Sequence, residues 1–173
     1  MDLAKAKVKK NLLILLYVAN GILVSLGWIM ALYSFPRLPQ IMPLWLSFSG
    51  QPAFSVEKSW LYFLYPFFQT VFVGGFWLLS RNHFLQDWLS KRNLSSLRLH
   101  PALEKEFVAV VLIFFNLIFI HIQRGLIFQA YGIEKSINQV YFYSLFGIIL
   151  LFIPYYRFRQ KMGLRGNDSH SSG

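Results

Sequence analysis

Four polar residues set in an otherwise apolar stretch are the side chains best placed to do chemistry: Asn116, His121, Gln123 and Arg124. Polar groups inside hydrocarbon are costly, so these should face protein or water rather than lipid. On a helix His121 and Arg124 share a face with Leu117 and Phe128, while Asn116, Ile120 and Gln123 line the adjoining one. Two roles are open to His121. Its neutral imidazole suits the metal of a haem or chlorophyll as an axial ligand. The other role is a hydrogen bond between helices, with Arg124 snorkelling to the membrane surface.

Little else in the chain could support catalysis. It has no cysteine, which removes thiolate metal sites and disulfides. Glycine-rich phosphate loops, HExxH and CxxC are all missing. None of the seven acidic residues lies deeper in an apolar run than its first turn. Glu104 and Glu106 stand where the third run begins and favour the positive end of its helix dipole. Glu57 and Glu134 are too few for a general acid–base pair. The expectation is a non-enzyme without a metal site.

The elements that must carry these residues follow from composition. Of 173 residues, 55% are hydrophobic and 14% charged, against about 25% charged in a soluble domain. The charges cluster and leave four long apolar runs, at about 11–35, 59–79, 104–128 and 137–156. Each is long enough to cross a hydrocarbon core of roughly 30 Å. The fold expected is an all-α integral membrane protein with four transmembrane helices in one domain (11–165), a basic leader (1–10) and a flexible polar tail (166–173). The first run is too long for a signal peptide and reads as an uncleaved anchor. Pro66 interrupts the second run and Pro154 ends the fourth.

Lysine and arginine give the spans a direction. Thirteen of the 17 fall in the leader, the second connection and the tail, and four in the first and third connections. Positive residues mark the cytoplasmic side, so both termini are expected there. This asymmetry accounts for most of the net charge of +10 without any nucleic-acid partner. Within the second connection Phe84, Leu85, Trp88 and Leu89 recur at helical spacing, as in a short helix lying on the leaflet, though a solvated linker reads equally well. Small residues at Gly21 and Ser25, and at Thr70 and Gly74, would permit close helix contacts within the bundle or with another subunit. Trp45, Trp60, Trp77, Tyr155 and Tyr156 read as interface anchors.

The first connection, 35–58, is rich in proline. Pro36, Pro39, Pro43 and Pro52 fix φ and exclude regular helix through most of it. Gly50 supplies a tight turn, and Leu44, Trp45, Leu46, Phe48 and Phe54 give the segment apolar surface to lie on the bundle end or outer leaflet. The run Leu38-Pro39, Pro43, Gly50, Pro52 and Lys58, with Ile41 one place before the pattern's isoleucine, resembles the outer loop of bacterial SdpI-like membrane proteins, written LPxxIPxHFxxxGxPDxxxxK. Trp45 stands at that pattern's histidine and Ala53 at its aspartate. The resemblance implies an outer loop between helices one and two, and a role in toxin immunity or signalling. From the residues themselves the expectation is an accessory subunit of a larger bacterial inner-membrane complex, acting through protein contacts. Its partners would be the lipid bilayer and other membrane subunits.

Overall fold

A computed structural model describes residues 2–47, 49–81 and 101–168. Within them are four helices long and apolar enough to cross a membrane. Helix α1 (Asp2–Ser34) includes the basic leader in one continuous helix, about 50 Å long at 1.5 Å per residue. It ends because Pro36 follows. The chain tightens into a 3₁₀ turn at Phe35–Arg37, and the Leu38 N–H returns to the Ser34 carbonyl at 3.1 Å.

Helix α2 (Leu64–Arg81) follows a 3₁₀ turn at Trp60–Phe63. Pro66 therefore does not interrupt a helix. It sits in the first turn, where its missing N–H would have had no intrahelical partner. Helices α3 (Pro101–Ala130) and α4 (Gln139–Asp168) complete the set. Pro154 lies inside α4 and does not end it. Beyond the proline, Tyr156 Oη donates to Glu106 at 3.1 Å and the Arg159 guanidinium pairs with the same carboxylate, which pins the continuing helix to α3. The expected surface helix around Trp88 lies outside the described residues.

Helix α3 is central. It packs against α1, α2 and α4, whereas α4 makes its main helix contacts with α3 alone. Phe72 of α2 meets Phe115 and Phe119 of α3 at ring distances of 5.0 and 6.0 Å. On the α4 side Ile118, Leu145 and Ile149 form a buried cluster joined by Leu117.

The proline-rich connection corrects the all-α expectation. It forms an antiparallel hairpin, β1 (Ile41–Leu46) with β2 (Pro52–Glu57), pairing Met42 with Val56 and Trp45 with Phe54. Proline argues against strand ladders, which is why the sequence does not suggest them. In a hairpin, however, each strand is an edge, and a proline can turn its donorless nitrogen outward. Pro52 opens β2, and irregular register follows Pro43. A lone hairpin is marginally stable. This one is fastened by burying Leu38 and Met42 with Ala31, Tyr62 and Ile127. Tyr65 Oη also donates to the Leu44 carbonyl at 2.5 Å.

Candidate functional site

Polar side chains gather in three places: a buried column between α1, α2 and α3, a crevice between α3 and α4, and the hairpin that spans one end of the bundle.

The column begins with spacing. Asn20, Gly27 and Ser34 follow one another every seven residues on α1, and so do Ala109, Asn116 and Gln123 on α3. A repeat of seven keeps one stripe of each helix against the other. Along that stripe Asn20, Asn116, Gln69 and Gln123 are each no more than 3% exposed. Three of their amides are joined head to tail. Gln69 Nε2 donates to Asn116 Oδ1 at 2.7 Å, and Asn116 Nδ2 donates to Asn20 Oδ1 at 2.8 Å. Asn20 Nδ2 in turn donates to the carbonyls of Leu16 and Ala109, both at 2.9 Å. Nearer the hairpin, Gln123 Nε2 donates to the Gly27 carbonyl at 3.0 Å, and Ser34 Oγ and Tyr62 Oη share a bond of 2.8 Å.

Gly27 is what lets this column close. A Cβ there would collide with Gln69 Oε1. That oxygen is buried without a hydrogen-bond partner among the described residues. Carboxamides neither titrate near neutral pH nor act as nucleophiles. The column's competence is therefore structural: it fixes the relative height of three helices, because a slip of one turn would leave several buried amides unpaired. Asn116 and Gln123 thus occupy one face, as their spacing indicates. Asn20 and Gln69 join them without having been singled out in the sequence. The signal for both is a polar residue within an apolar run, and for Asn20 also its seven-residue spacing from Gly27.

The opposite face of α3 carries His121 and Arg124, with Ile120 on this side rather than with Asn116. They border a cavity of about 350 Å³ lined also by Leu117, Glu134, Asn138 and Tyr141. His121 Nε2 lies 3.3 Å from the Asn138 carbonyl oxygen, and its ring is 4.3 Å from that of Tyr141. A carbonyl oxygen can only accept, so Nε2 is the donor in this contact and Nδ1 is the nitrogen left with a lone pair for a metal, while a second ring crowds the imidazole. Arg124 pairs with Glu134 at 3.2 Å and lies over Phe128 at 4.5 Å. Half of its side chain is exposed. Among the described residues, no group of three or more His, Asp or Glu is placed to hold a metal ion.

At the hairpin, the residues singled out in the sequence divide into fasteners and displayed groups. Lys58 Nζ donates to the carbonyls of Pro36 and Leu38 at 2.9 and 3.2 Å, closing the loop across its base. Pro39 lies just before β1, Pro43 is buried within it, and Pro52 is exposed. Gly50 adopts φ of 75°, a conformation open to glycine. Its carbonyl accepts from Ile137 N–H at 2.9 Å and from Gln129 Nε2 at 2.7 Å, tying the tip to the α3–α4 connection. Trp45, by contrast, is 65% exposed. A Cβ added at Gly21, Gly74 or Gly75 would meet nothing within 4 Å; the close approaches are at Gly27, against Gln69, and at Gly50 and Gly125, both against Ile137. No protein-family model, curated protein or solved structure matches this chain.

Proposed function

We propose that this is a non-catalytic, four-span membrane protein that acts through protein contacts as an accessory subunit of a larger membrane complex. Both termini would be cytoplasmic, with the hairpin on the outer side. The charge asymmetry supports this direction: thirteen basic residues on the side of the termini against four on the hairpin side. The observation that carries the contact role is the hairpin's outward face. Ile41, Trp45 and Phe54 are each at least 60% exposed although they lie between the apolar spans rather than in them. Contiguous apolar surface in water marks an interaction site. A partner subunit seated on the bundle end would cover it.

The test is isolation from native membranes in mild detergent. The expected result is recovery with further subunits, lost when Trp45 and Phe54 are changed to Ser. Isolation only as a free monomer would overturn the reading.

A second reading is favoured by the way the resemblance residues build the loop: Leu38 is buried, Gly50 turns the tip and Lys58 closes the base. A displayed loop of this kind supports a role like that of the SdpI-like proteins, in which it meets a secreted peptide. Deletion of the gene should then change sensitivity to such a peptide, and unchanged sensitivity would remove this alternative.

A further inference from the structure

The crevice between α3 and α4 has a polarity gradient that the contact role does not use. Arg124 lies six residues before the end of α3 at Ala130, about 9 Å along the axis at 1.5 Å per residue. Leu117 lies a further two turns from that end. The cavity thus has charged and polar groups toward the hairpin end and an apolar floor, Leu117 and Ile120, toward the middle of the span. That is the order of an amphiphile standing in a leaflet: headgroup above, acyl chain below.

The charges narrow the headgroup. Arg124 and Glu134 form a pair whose side chains are 49% and 34% exposed, so both remain open to a ligand. A phosphate alone would meet the guanidinium and be repelled by the adjacent carboxylate. A headgroup carrying both signs would satisfy both. Its phosphate would take the guanidinium's remaining N–H donors, and its ammonium would take the carboxylate. A primary ammonium has three donors for Glu134 and the polar rim, whereas a trimethylammonium has none. We infer that the α3–α4 crevice binds a zwitterionic phospholipid with a primary amine, phosphatidylethanolamine by chemical class, with phosphate on Arg124, ammonium on Glu134 and an acyl chain over Leu117 and Ile120. This inference rests on the membrane reading given above but not on the identity of any subunit partner.

The full chain, purified in mild detergent, is mixed with equimolar dioleoyl phosphatidylethanolamine and dioleoyl phosphatidylglycerol, and bound lipids are counted by native mass spectrometry. The expected ratio favours phosphatidylethanolamine by about fivefold, the effect of one charge contact at a membrane surface. Glu134→Gln, nearly isosteric and partly exposed, should erase that preference by raising phosphatidylglycerol. Arg124→Gln should lower both lipids. Equal binding by the unmodified protein, or a preference unchanged in Glu134→Gln, would overturn the inference. Millimolar phosphoethanolamine without acyl chains should not displace the lipid; displacement would show a site for the free headgroup and overturn the lipid assignment. Recovery of the chain in the soluble fraction would instead overturn the membrane reading beneath it, and membrane recovery without lipid preference would sink the lipid inference alone.

Discussion

The two faces of α3 place similar residue types in opposite circumstances. Toward α1 and α2, Asn116 and Gln123 are nearly inaccessible, and their donors are spent on other amides and on backbone. Toward α4, His121 and Arg124 stand at a cavity, with one long hydrogen bond and one half-exposed ion pair between them. Polar groups that pair with each other in a buried stripe hold helices in register. Polar groups left at a rim keep capacity for something that is not part of the chain. The distinction is one of how much of each group's hydrogen-bonding potential the fold consumes.

Substitutions should separate the faces by size of effect. The largest loss is expected for Asn116→Leu, which strands Asn20 Oδ1 and leaves Gln69 Nε2 with only its longer bond, 3.3 Å to the Leu23 carbonyl. Each unsatisfied buried group costs about 1–3 kcal/mol, and reversible unfolding in detergent would measure the sum. A loss below about 1 kcal/mol would mean that the column does not set the register. Gly27→Ala should follow at about 1–3 kcal/mol, since the new methyl displaces Gln69 Oε1 and with it the amide chain. Its destabilisation should shrink in a Gln69→Ala background, a coupling that a double-mutant cycle would reveal. Glu106→Gln comes next. The carboxylate holds Arg159 and Tyr156 beyond Pro154 and its side chain is 12% exposed, so about 1–2 kcal/mol is expected. Increased hydrogen exchange confined to α4 after Pro154 would show the same loosening. His121→Ala and Arg124→Ala should cost least, below about 1 kcal/mol, because His121 makes one long hydrogen bond and the Arg124 ion pair is half exposed. If either proves as costly as Asn116→Leu, the crevice is a packing seam and the comparison fails.

The number and approximate places of the four helices are legible in the sequence because long runs with few charges leave few alternatives; their full lengths are not, since α1 begins at Asp2 and α4 continues to Asp168. So is the division of Asn116 from His121, which needs only helical periodicity. The hairpin is not. Its strands are short, each contains a proline, and their pairing depends on fasteners outside the strands, Tyr65 nearby and Gln129 and Ile137 far along the chain. Proline reads as a local veto on regular structure, while the edge positions that admit it are set by tertiary contacts. Pro66 and Pro154 mislead for a related reason. One falls in a first turn where proline costs little, and the other is held in a helix by a carboxylate on a neighbouring helix. Gln69 is inconspicuous because its partners lie 46 and 47 residues away in sequence.

The tether at Gly50 has a consequence for assembly. Its carbonyl is held by residues 129 and 137, so 87 residues separate the hairpin tip from its farther anchor. A chain made from its N-terminus completes α1 and the hairpin long before Ile137 exists. During that interval the fasteners available are those within the first half, Lys58 and Tyr65. The tip can seat only after α3 is in place and the chain turns toward α4. Docking of the hairpin tip is thereby made a late step of biogenesis, one that reports that the connection between the last two helices has been made.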